Sequence, residues 1–352
     1  MLSSYRIFHF NKRLFTRSYK KNLVRSFAIF LACQSSSAIS ESRQLNSSEA
    51  VELLNTAKHV AESVSITGTV VIENLGISKK VKSLIQTTTQ DGKVVKQVES
   101  MNDGHVVEVH VGDKLTQYLP ENKLIKVSST AKPSFPSLFY GDTSKILENY
   151  EVVTKKNDKS KNRVAGFETI AIELIPRDDF RWGIRAWLEQ DSLLLLKVEY
   201  FNHNRFVIKK DYFVDVSINP VEEIRIKNQF PESHTWNKLL VSKFNNGESK
   251  IFKYEPVKGF KLIKCFDTRF NRIKYNKKID YEKSHCLFSD GVAAVSMLAL
   301  ADQESDVVFA KKVLTRGCLS LKSGLISNRS VSSVGCVPRE TVQSFFNNSM
   351  ID

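Results

Sequence analysis

The sequence predicts an α+β protein: an antiparallel half-barrel with covering helices, followed by a smaller C-terminal α+β domain. Three observations lead to this fold class. Short apolar runs alternate with turn-forming residues through much of the chain, and one amphipathic helical segment precedes them. The length of 352 residues also exceeds the usual size of a single hydrophobic core. We therefore expect two domains, at residues 44–218 and 237–352, joined by a linker at 219–236.

The first element of the N-terminal domain is an amphipathic helix. Ser47 or Ser48 can cap it, and Glu49 falls in its first turn. The residues that recur at helical spacing are Val51, Leu54, Ala57, Ala61 and Val64. The helix is therefore expected to place one apolar face on the sheet that follows.

Six short strands are predicted after the helix, separated by turn signals such as Gln90-Asp91-Gly92. They are residues 66–73, 81–89, 93–99, 106–111, 116–119 and 124–127. The strict alternation in 107–111 predicts that one face of this sheet is covered and the other solvated. With the helix as cover the sheet becomes a half-barrel, and any part of its concave face that the helix leaves open is a groove for an apolar ligand.

Residues 163–197 predict three adjoining strands that carry an unusual set of arginines and tryptophans. Ile184, Ala186 and Leu188 share one face of the middle strand, which leaves Arg185 and Trp187 on the other. A short helix around 142–149 precedes this part of the sheet.

Arg181, Arg185 and Trp187 are the candidate partner-binding or lipid-binding residues of this domain. An arginine can make two hydrogen bonds to a carboxylate or phosphate, and a tryptophan supplies contact area. The alternative is that arginine packs on tryptophan within the sheet and only stabilises it.

The C-terminal domain is expected to begin with a hairpin. Asn246-Gly247 is a hairpin turn signal between segments 239–244 and 249–254. Further strands are predicted at 286–300 and 329–336. Pro338 then starts a terminal helix, and the residues that could pack it on the sheet are Val342, Phe345, Phe346 and Met350.

Residues 1–38 have the layout of an export signal peptide. They contain seven lysines and arginines and no acidic residue, and the short apolar stretch 27–32 precedes Ser36-Ser37-Ala38. A mitochondrial-type presequence and a wrongly assigned start codon are the alternatives. Removal of the seven cations lowers the formal net charge from +14 to +7. The remaining charge can steer the protein toward phosphate-bearing lipid, whereas the absence of a basic recognition helix argues against nucleic acid.

Four cysteines follow the signal peptide, all of them in the last third of the chain: Cys265, Cys286, Cys318 and Cys336. In an exported protein they permit two disulfides with three connectivities, and buried free thiols are the alternative. Their spacing does not match a zinc site.

No catalytic motif stands out in the sequence. Phosphate-binding glycine loops, zinc-protease and serine-hydrolase motifs are absent from it. His285 and Cys286 are neighbours along a predicted strand, so their side chains point to opposite faces and cannot form a dyad. Asp178-Asp179 follows a strand end and is interpreted as a turn. We therefore predict a binding protein that is not an enzyme and uses no cofactor or metal.

The chain resembles the sigma-E factor regulatory protein family, RseB/MucB, over most of its length. The N-terminal segments that carry the resemblance are 135–138 (FPSL), 163–166 (RVAG), 175–178 (IPRD), 181–188 (RWGIRAWL) and 194–197 (LLLK). In the C-terminal domain they are 288–296 (FSDGVAAVS) and 334–342 (VGCVPRETV).

The resemblance implies a periplasmic protein with a LolA-like half-barrel. It further implies binding to the periplasmic part of a membrane-spanning anti-sigma factor, RseA or MucA, which is thereby shielded from a regulatory protease. Lipopolysaccharide or another outer-membrane lipid would release that partner, and the protein could form a homo-oligomer. Ser289, Asp290 and Gly291 are the candidate residues in the C-terminal domain, with a purely structural turn as the alternative. A periplasmic lipid carrier is the competing function.

Three positions depart from the family pattern. Leu193 stands where the family usually turns with glycine, which calls for a different turn type. Val257-Lys258 replaces a usual Leu-Pro before Gly259. The four cysteines of the C-terminal domain do not belong to the pattern.

Overall fold

The computed structural model describes residues 42–351 apart from 89–91, 103, 113, 130–133, 140, 156–161, 221–229, 241–251, 256, 275–276, 301–311 and 328. The predicted signal peptide therefore lies outside the described residues. Among the helices that the structure does describe, none combines the length and the apolar character that crossing a bilayer requires.

A large open sheet occupies the N-terminal part of the chain. Its strands are β1 (Ser42–Gln44), β2 (Ile66–Asn74), β3 (Ser78–Thr88), β4 (Val94–Ser100), β5 (Val107–Val111), β6 (Lys114–Leu119), β7 (Leu124–Ser129), β8 (Tyr150–Lys155), β9 (Arg163–Val164), β10 (Phe167–Pro176), β11 (Gly183–Glu189), β12 (Leu195–Phe201), β13 (Val207–Ile218) and β14 (Asn237–Leu240). The order across the sheet is β1-β8-β10-β11-β12-β13-β2-β3-β4-β5-β6-β7-β14, and β9 pairs only with β10. The pairing is antiparallel except between β7 and β14.

Helix α1 (Ser47–Ser63) packs on the inner face of this sheet. Its buried residues are Ala50, Leu53, Leu54, Ala57 and Ala61. The expected cap at Ser47 or Ser48 is wrong by one or two positions, because Asn46 accepts a hydrogen bond from the Glu49 amide at 2.9 Å and Glu49 accepts one in return at 3.2 Å. This reciprocal pair is a capping box. The helix covers Ile184, Ala186 and Leu188, which confirms the predicted inward face of β11.

The turn between β11 and β12 holds Leu193 in the left-handed region, at φ 62°. A leucine is strained there, because its Cβ crowds the backbone. The carboxylate of Glu189 stabilises this turn by accepting hydrogen bonds from the amides of Asp191 and Ser192 at 3.1 and 2.6 Å. Leu193 also packs against the core under α1. Leu193 thus occupies the left-handed conformation that glycine favours, so a different turn type is not needed to place leucine here.

The last part of the predicted linker, residues 230–236, packs on the outer face of the large sheet. A 3-10 turn at Pro231–Thr235 separates Phe230 from Trp236, and both aromatic side chains are buried against Val107 of β5. β14 then adds to the edge of the sheet beside β7. A second 3-10 turn, Pro120–Asn122, connects β6 to β7, and a third, Thr143–Lys145, leads into the short helix α2 (Ile146–Asn149).

A smaller sheet forms the C-terminal part. Its strands are β16 (Lys261–Lys274), β17 (Lys277–Ser289), β18 (Ala294–Leu300), β19 (Leu314–Arg316), β20 (Leu319–Ile326) and β21 (Arg329–Gly335), in the order β16-β17-β18-β21-β20-β19. Helix α3 (Arg339–Asn347) buries Val342 and Phe345 on one face of it. β15 (Phe252–Tyr254) and β22 (Ser349–Ile351) form a separate ribbon. The predicted fold class is confirmed.

Two details of the C-terminal prediction are corrected, and a third is not tested. The predicted hairpin turn Asn246-Gly247 and most of its two flanking segments lie outside the described residues; at their ends, β14 pairs with β7 and β15 pairs with β22. The predicted strand 286–300 is interrupted by a turn between β17 and β18. Met350 belongs to β22 and is 54% exposed, so it does not anchor the terminal helix.

The four cysteines form two disulfides. Cys265 pairs with Cys286 across β16 and β17, and Cys318 pairs with Cys336. Of the alternatives that the sequence left open, the structure therefore contains bridges rather than free thiols.

Candidate functional site

The two sheets meet at a buried salt-bridge cluster around Arg181. The Arg181 side chain is 0% exposed, and its Nε donates to Asp290 Oδ2 at 2.8 Å. Nη1 donates to Asp178 Oδ2 at 2.5 Å and Nη2 to the Lys258 carbonyl at 2.9 Å. A buried guanidinium requires such partners, because an unpaired buried charge is strongly unfavourable. The planar fork of donors thus joins the turn after β10 to two segments of the smaller sheet.

Asp290 is the acidic centre of this junction. Its Oδ1 accepts from the amides of Val292 and Ala293 at 2.9 and 2.7 Å, and its Oδ2 also accepts from the Tyr150 hydroxyl at 3.2 Å. Burial raises the pKa of Asp290, while Arg181 and the two amides act in the opposite direction. Burial also raises the pKa of Tyr150 well above its ordinary value, so the phenol keeps its proton and donates.

Ser289 and Gly291 shape the turn that presents Asp290. Ser289 Oγ donates to the Ala293 carbonyl at 2.7 Å and accepts from the Gly291 amide at 3.0 Å. Gly291 has a φ of 102°, which an L side chain rarely adopts. In this structure the turn presents the Asp290 carboxylate to Arg181 of the same chain.

The junction continues on both sides of Arg181. Trp182 Nε1 donates to the Cys318 carbonyl at 3.0 Å, and the Cys318 amide donates to Asn74 Oδ1 at 3.3 Å. Thr341 at the start of α3 donates through Oγ1 to the Phe180 carbonyl at 2.6 Å. Segment 180–182 is therefore held by four different parts of the C-terminal sheet domain, at Lys258, Asp290, Cys318 and Thr341.

Arg185 lies on the outer face of β11 in a row of alternating charges. Its Nε donates to Glu173 at 2.5 Å, and its Nη1 lies 3.7 Å from Glu199. Arg205 reaches the second oxygen of Glu173 at 2.6 Å, and Lys197 contacts Glu199 at 2.9 Å. We call these five residues the outer charged row. It has three cations and two carboxylates, and both carboxylates are buried beneath the cations.

Trp187 sits at one end of the outer charged row. Lys197 Nζ lies 4.1 Å from the centre of the indole ring and the Arg185 guanidinium 5.8 Å from it. Both distances are within the range of cation–π attraction. The side chain is buried, in a cluster with Ala171 and Leu196, so it stabilises the sheet while only its edge reaches the surface.

The predicted site residues thus divide into two groups. Arg181, Ser289, Asp290 and Gly291 come together in the junction, where the first three are buried. Arg185 and Trp187 make their contacts within the outer charged row instead. The sequence could not reveal the junction because Arg181 and Asp290 are 109 residues apart in the chain.

A second polar group lies on the inner face of the large sheet and was not singled out from the sequence. Gln86, Lys96 and His110 are direct neighbours across β3, β4 and β5, and Gln86 donates to the α1 carbonyl of Ala61 at 3.0 Å. Lys96 donates to the carbonyl and hydroxyl of Ser134 at 3.1 and 2.6 Å. The alternation of His110 with valines was a signal, but it did not indicate which face is the covered one.

Burial alters the acid–base properties of this inner group. It lowers the pKa of Lys96 to about 8, against the raising effect of Glu108 and Glu62. It lowers the pKa of His110 to about 4, and neighbouring Lys96 adds to that effect. Nε2 of His110 is buried without a hydrogen-bond partner among the described residues. In the part of the chain that the structure describes, no cluster of three or more His, Cys, Asp or Glu side chains could hold a metal ion.

We compared the sequence and the fold of the chain with those of known proteins. Sigma-E factor regulatory protein RseB of Haemophilus influenzae is 23% identical over 259 residues, which are 72% of this chain and 76% of that protein. The crystal structure of MucB in complex with MucA(peri) matches with a TM-score of 0.61 at 17% identity, covering 86% of this chain and 99% of that one. The MucA/MucB complex of Pseudomonas aeruginosa gives the same TM-score and coverage at 18% identity. The sequence model of the MucB/RseB N-terminal domain matches residues 49–234, just over half of the chain. The chain therefore belongs to the MucB/RseB family.

Proposed function

We propose that this protein is a periplasmic negative regulator of a sigma-E-type envelope-stress response. It binds the periplasmic segment of a membrane-spanning anti-sigma factor and shields that segment from regulated proteolysis. An outer-membrane lipid such as lipopolysaccharide releases the protein from the anti-sigma factor. The protein acts by binding and carries out no reaction of its own.

Family membership is the observation that carries this proposal. The relative from Haemophilus influenzae is named a sigma-E factor regulatory protein, and two solved structures of MucB are complexes with MucA. Those MucB structures cover 86% of this chain, so the fold is shared over most of its length. A shared fold of this extent supports a similar mode of partner binding.

The junction supports a role in binding by holding the two sheets together. Arg181 and Asp290 are both fully buried, and Tyr150, Trp182 and Thr341 add hydrogen bonds to the same boundary. A surface that is pre-organised in this way loses less conformational entropy when a partner binds. We propose that the anti-sigma segment binds across the outer surface, where the outer charged row supplies one net positive charge.

The inner face of the large sheet is the proposed lipid site. Its apolar residues are covered by α1, so we propose that the lipid binds there by displacing this helix, beside the buried ammonium group of Lys96 at one end of it. A lipid that bears acyl chains and an anionic headgroup matches this combination. If partner and lipid oppose one another, their coupling is reciprocal and typically about 1–3 kcal/mol.

The proposal is tested by measuring binding to the periplasmic segment of the cognate anti-sigma factor. We expect a stable complex with the native protein and weaker binding by the Arg185→Ala/Trp187→Ala variant. The matched control is Arg339→Ala/Met350→Ala, since both of these side chains are more than half exposed and lie far from the outer charged row in sequence. Circular dichroism and unfolding midpoints must show that each variant is folded.

The outcomes separate the two parts of the proposal. Failure of the native protein to bind any anti-sigma segment would contradict the regulatory function, and co-purified lipid without partner binding would support a lipid carrier instead. Equal affinity of native protein and the Arg185→Ala/Trp187→Ala variant would remove these two residues from the contact surface. Addition of lipopolysaccharide micelles to the preformed complex is expected to lower the bound fraction, and an unchanged fraction would refute the lipid signal.

A further inference from the structure

The Cys318–Cys336 disulfide connects the two segments that make the junction contacts with Trp182 and Phe180. Cys318 is the residue whose carbonyl accepts the Trp182 indole N–H at 3.0 Å and whose amide donates to Asn74 at 3.3 Å. Cys336 follows β21 and leads through Val337 into α3, whose Thr341 binds the Phe180 carbonyl at 2.6 Å. One covalent bond thus ties together the two C-terminal segments that contact Trp182 and Phe180.

The turn that carries Cys318 depends on close packing with the large sheet. Gly317 has a φ of 54°, and a Cβ at this position would overlap the side-chain oxygen of Asn74. Because the backbone packs this closely on Asn74, the hydrogen bond from the Cys318 amide to Asn74 depends on the position of the turn. The disulfide to Cys336 is the covalent link that fixes it from the C-terminal side.

The other disulfide provides a natural contrast. Cys265 and Cys286 are 1% and 0% exposed, and they connect neighbouring strands β16 and β17 inside the core of the smaller sheet. Cys336, in comparison, is only partly buried. Because thiol–disulfide exchange needs access to a sulfur, the two bridges differ in their exposure to a reductant.

We propose that the Cys318–Cys336 bridge is a thiol-exchange site that controls the junction between the two sheets. A dithiol reductant attacks one sulfur of the bridge through a thiolate, forms a mixed disulfide and then closes on itself. Two electrons and two protons pass to the protein, which gains two thiols, while the dithiol becomes a cyclic disulfide. The opened turn 317–318 then releases Trp182 and Asn74. This inference does not depend on the proposed function.

The indole N–H signals in an NMR spectrum give a direct readout. The chain has three tryptophans, and Trp182 alone reports on the contact with Cys318, while Trp187 and Trp236 serve as internal references within the large sheet. During a titration of the full chain with dithiothreitol, we expect the Trp182 signal to shift and its exchange with solvent to rise at least about tenfold. The signals of Trp187 and Trp236 should remain in place.

Alkylation followed by mass spectrometry identifies the bridge that has opened. We expect Cys318 and Cys336 to be alkylated at a reductant level that leaves Cys265 and Cys286 joined, a separation of at least about tenfold, or 30 mV for a two-electron couple. Simultaneous opening of both bridges, or a Trp182 signal that stays unchanged after Cys318 and Cys336 are alkylated, would overturn the proposal.

Paired variants give an independent test without any reductant. Cys318→Ser/Cys336→Ser should show the shifted and faster-exchanging Trp182 signal, whereas Cys265→Ser/Cys286→Ser should retain the native one. A native Trp182 signal in the first variant would refute the inference. If the second variant does not fold, the selective reduction of the native chain still decides the question, because it leaves Cys265–Cys286 intact.

Discussion

Gly183 and Phe201 are paired across β11 and β12, and the Phe201 ring occupies the space into which a side chain at position 183 would point. The Phe201 side chain is 4% exposed, and the Arg205 guanidinium lies over its ring at 4.2 Å. The glycine therefore lets an aromatic ring lie flat on the strand and support the outer charged row from below.

Replacement of Gly183 by alanine is expected to destabilise the fold by about 1–3 kcal/mol, because the added methyl group overlaps the Phe201 ring. Urea unfolding measures the change. In the Gly183→Ala/Phe201→Leu double variant the two effects should not add, since the smaller side chain leaves room for the methyl group. Equal stability of Gly183→Ala and the native protein would show that the ring moves aside without penalty.

Arg181→Met should lower the free energy of unfolding by about 3–5 kcal/mol, because it leaves the buried carboxylate of Asp290 and the half-buried carboxylate of Asp178 without their cation. The Arg181→Met/Asp290→Asn double variant should lose less than the sum of the single variants, as residues in one network do. Arg339→Met is the control, since this arginine is 65% exposed and its change should stay within about 0.5 kcal/mol. Additive effects of the two junction substitutions would contradict a direct coupling.

At Leu193 we expect a glycine variant to be more stable than an alanine variant, which is the reverse of the usual order. Both Leu193→Ala and Leu193→Gly lose the packing of the side chain, but only glycine relieves the strain at φ 62°. Leu193→Gly should therefore be more stable than Leu193→Ala by about 1 kcal/mol, although glycine is normally the less stable of the two. Unfolding midpoints at one pH decide the order, and a more stable alanine variant would mean that the turn relaxes.

Acid should weaken the protein partly through His110. Its pKa is about 4 in the folded state and 6.5 in the unfolded state, so the unfolded chain takes up the proton first as the pH falls. The contribution is fully present above pH 6.5 and is lost toward pH 4, by on the order of 2 kcal/mol after solvent screening. His110→Gln should flatten the dependence of unfolding free energy on pH in this window.

A second partly buried histidine, His285, is expected to contribute to the same pH dependence of the unfolding free energy. Burial also lowers the pKa of His285 to about 4, so His285→Gln should flatten the same window to a similar degree. His234 is exposed and near Pro231, and His234→Gln serves as the control. A native slope in His110→Gln would mean that this ring takes up its proton in the folded state as readily as in the unfolded chain.

The sequence predicted those features that depend on local pattern. The inward face of β11, the opening helix and the terminal helix after Pro338 all follow from the spacing of apolar residues along one segment. The pairing of Arg181 with Asp290 does not, because nothing in either segment specifies a partner 109 residues away. The same holds for the connectivity of the cysteines, which depends on which strands become neighbours.

The predicted linker shows a second kind of feature that the sequence did not reveal. Prolines and mixed charge suggested an irregular connection, yet Phe230 and Trp236 pack on Val107 and the following residues join the sheet as β14. The described end of this segment is irregular, as expected, but its sequence did not indicate that Phe230 and Trp236 would pack on the sheet. The outward placement of Arg185 and Trp187 was correctly predicted from alternation, whereas the buried carboxylates beneath the arginines were not.

The strand that ends the large sheet has a consequence for solubility at high concentration. Exposed sheet edges are templates on which identical chains can polymerise, and proteins limit this hazard by keeping edge strands short. Here the two edges are β1, with three residues, and β14, whose four residues include Lys238. By covering the six-residue strand β7, the segment after the linker protects a sheet of fourteen strands from stacking edge to edge with its own copies.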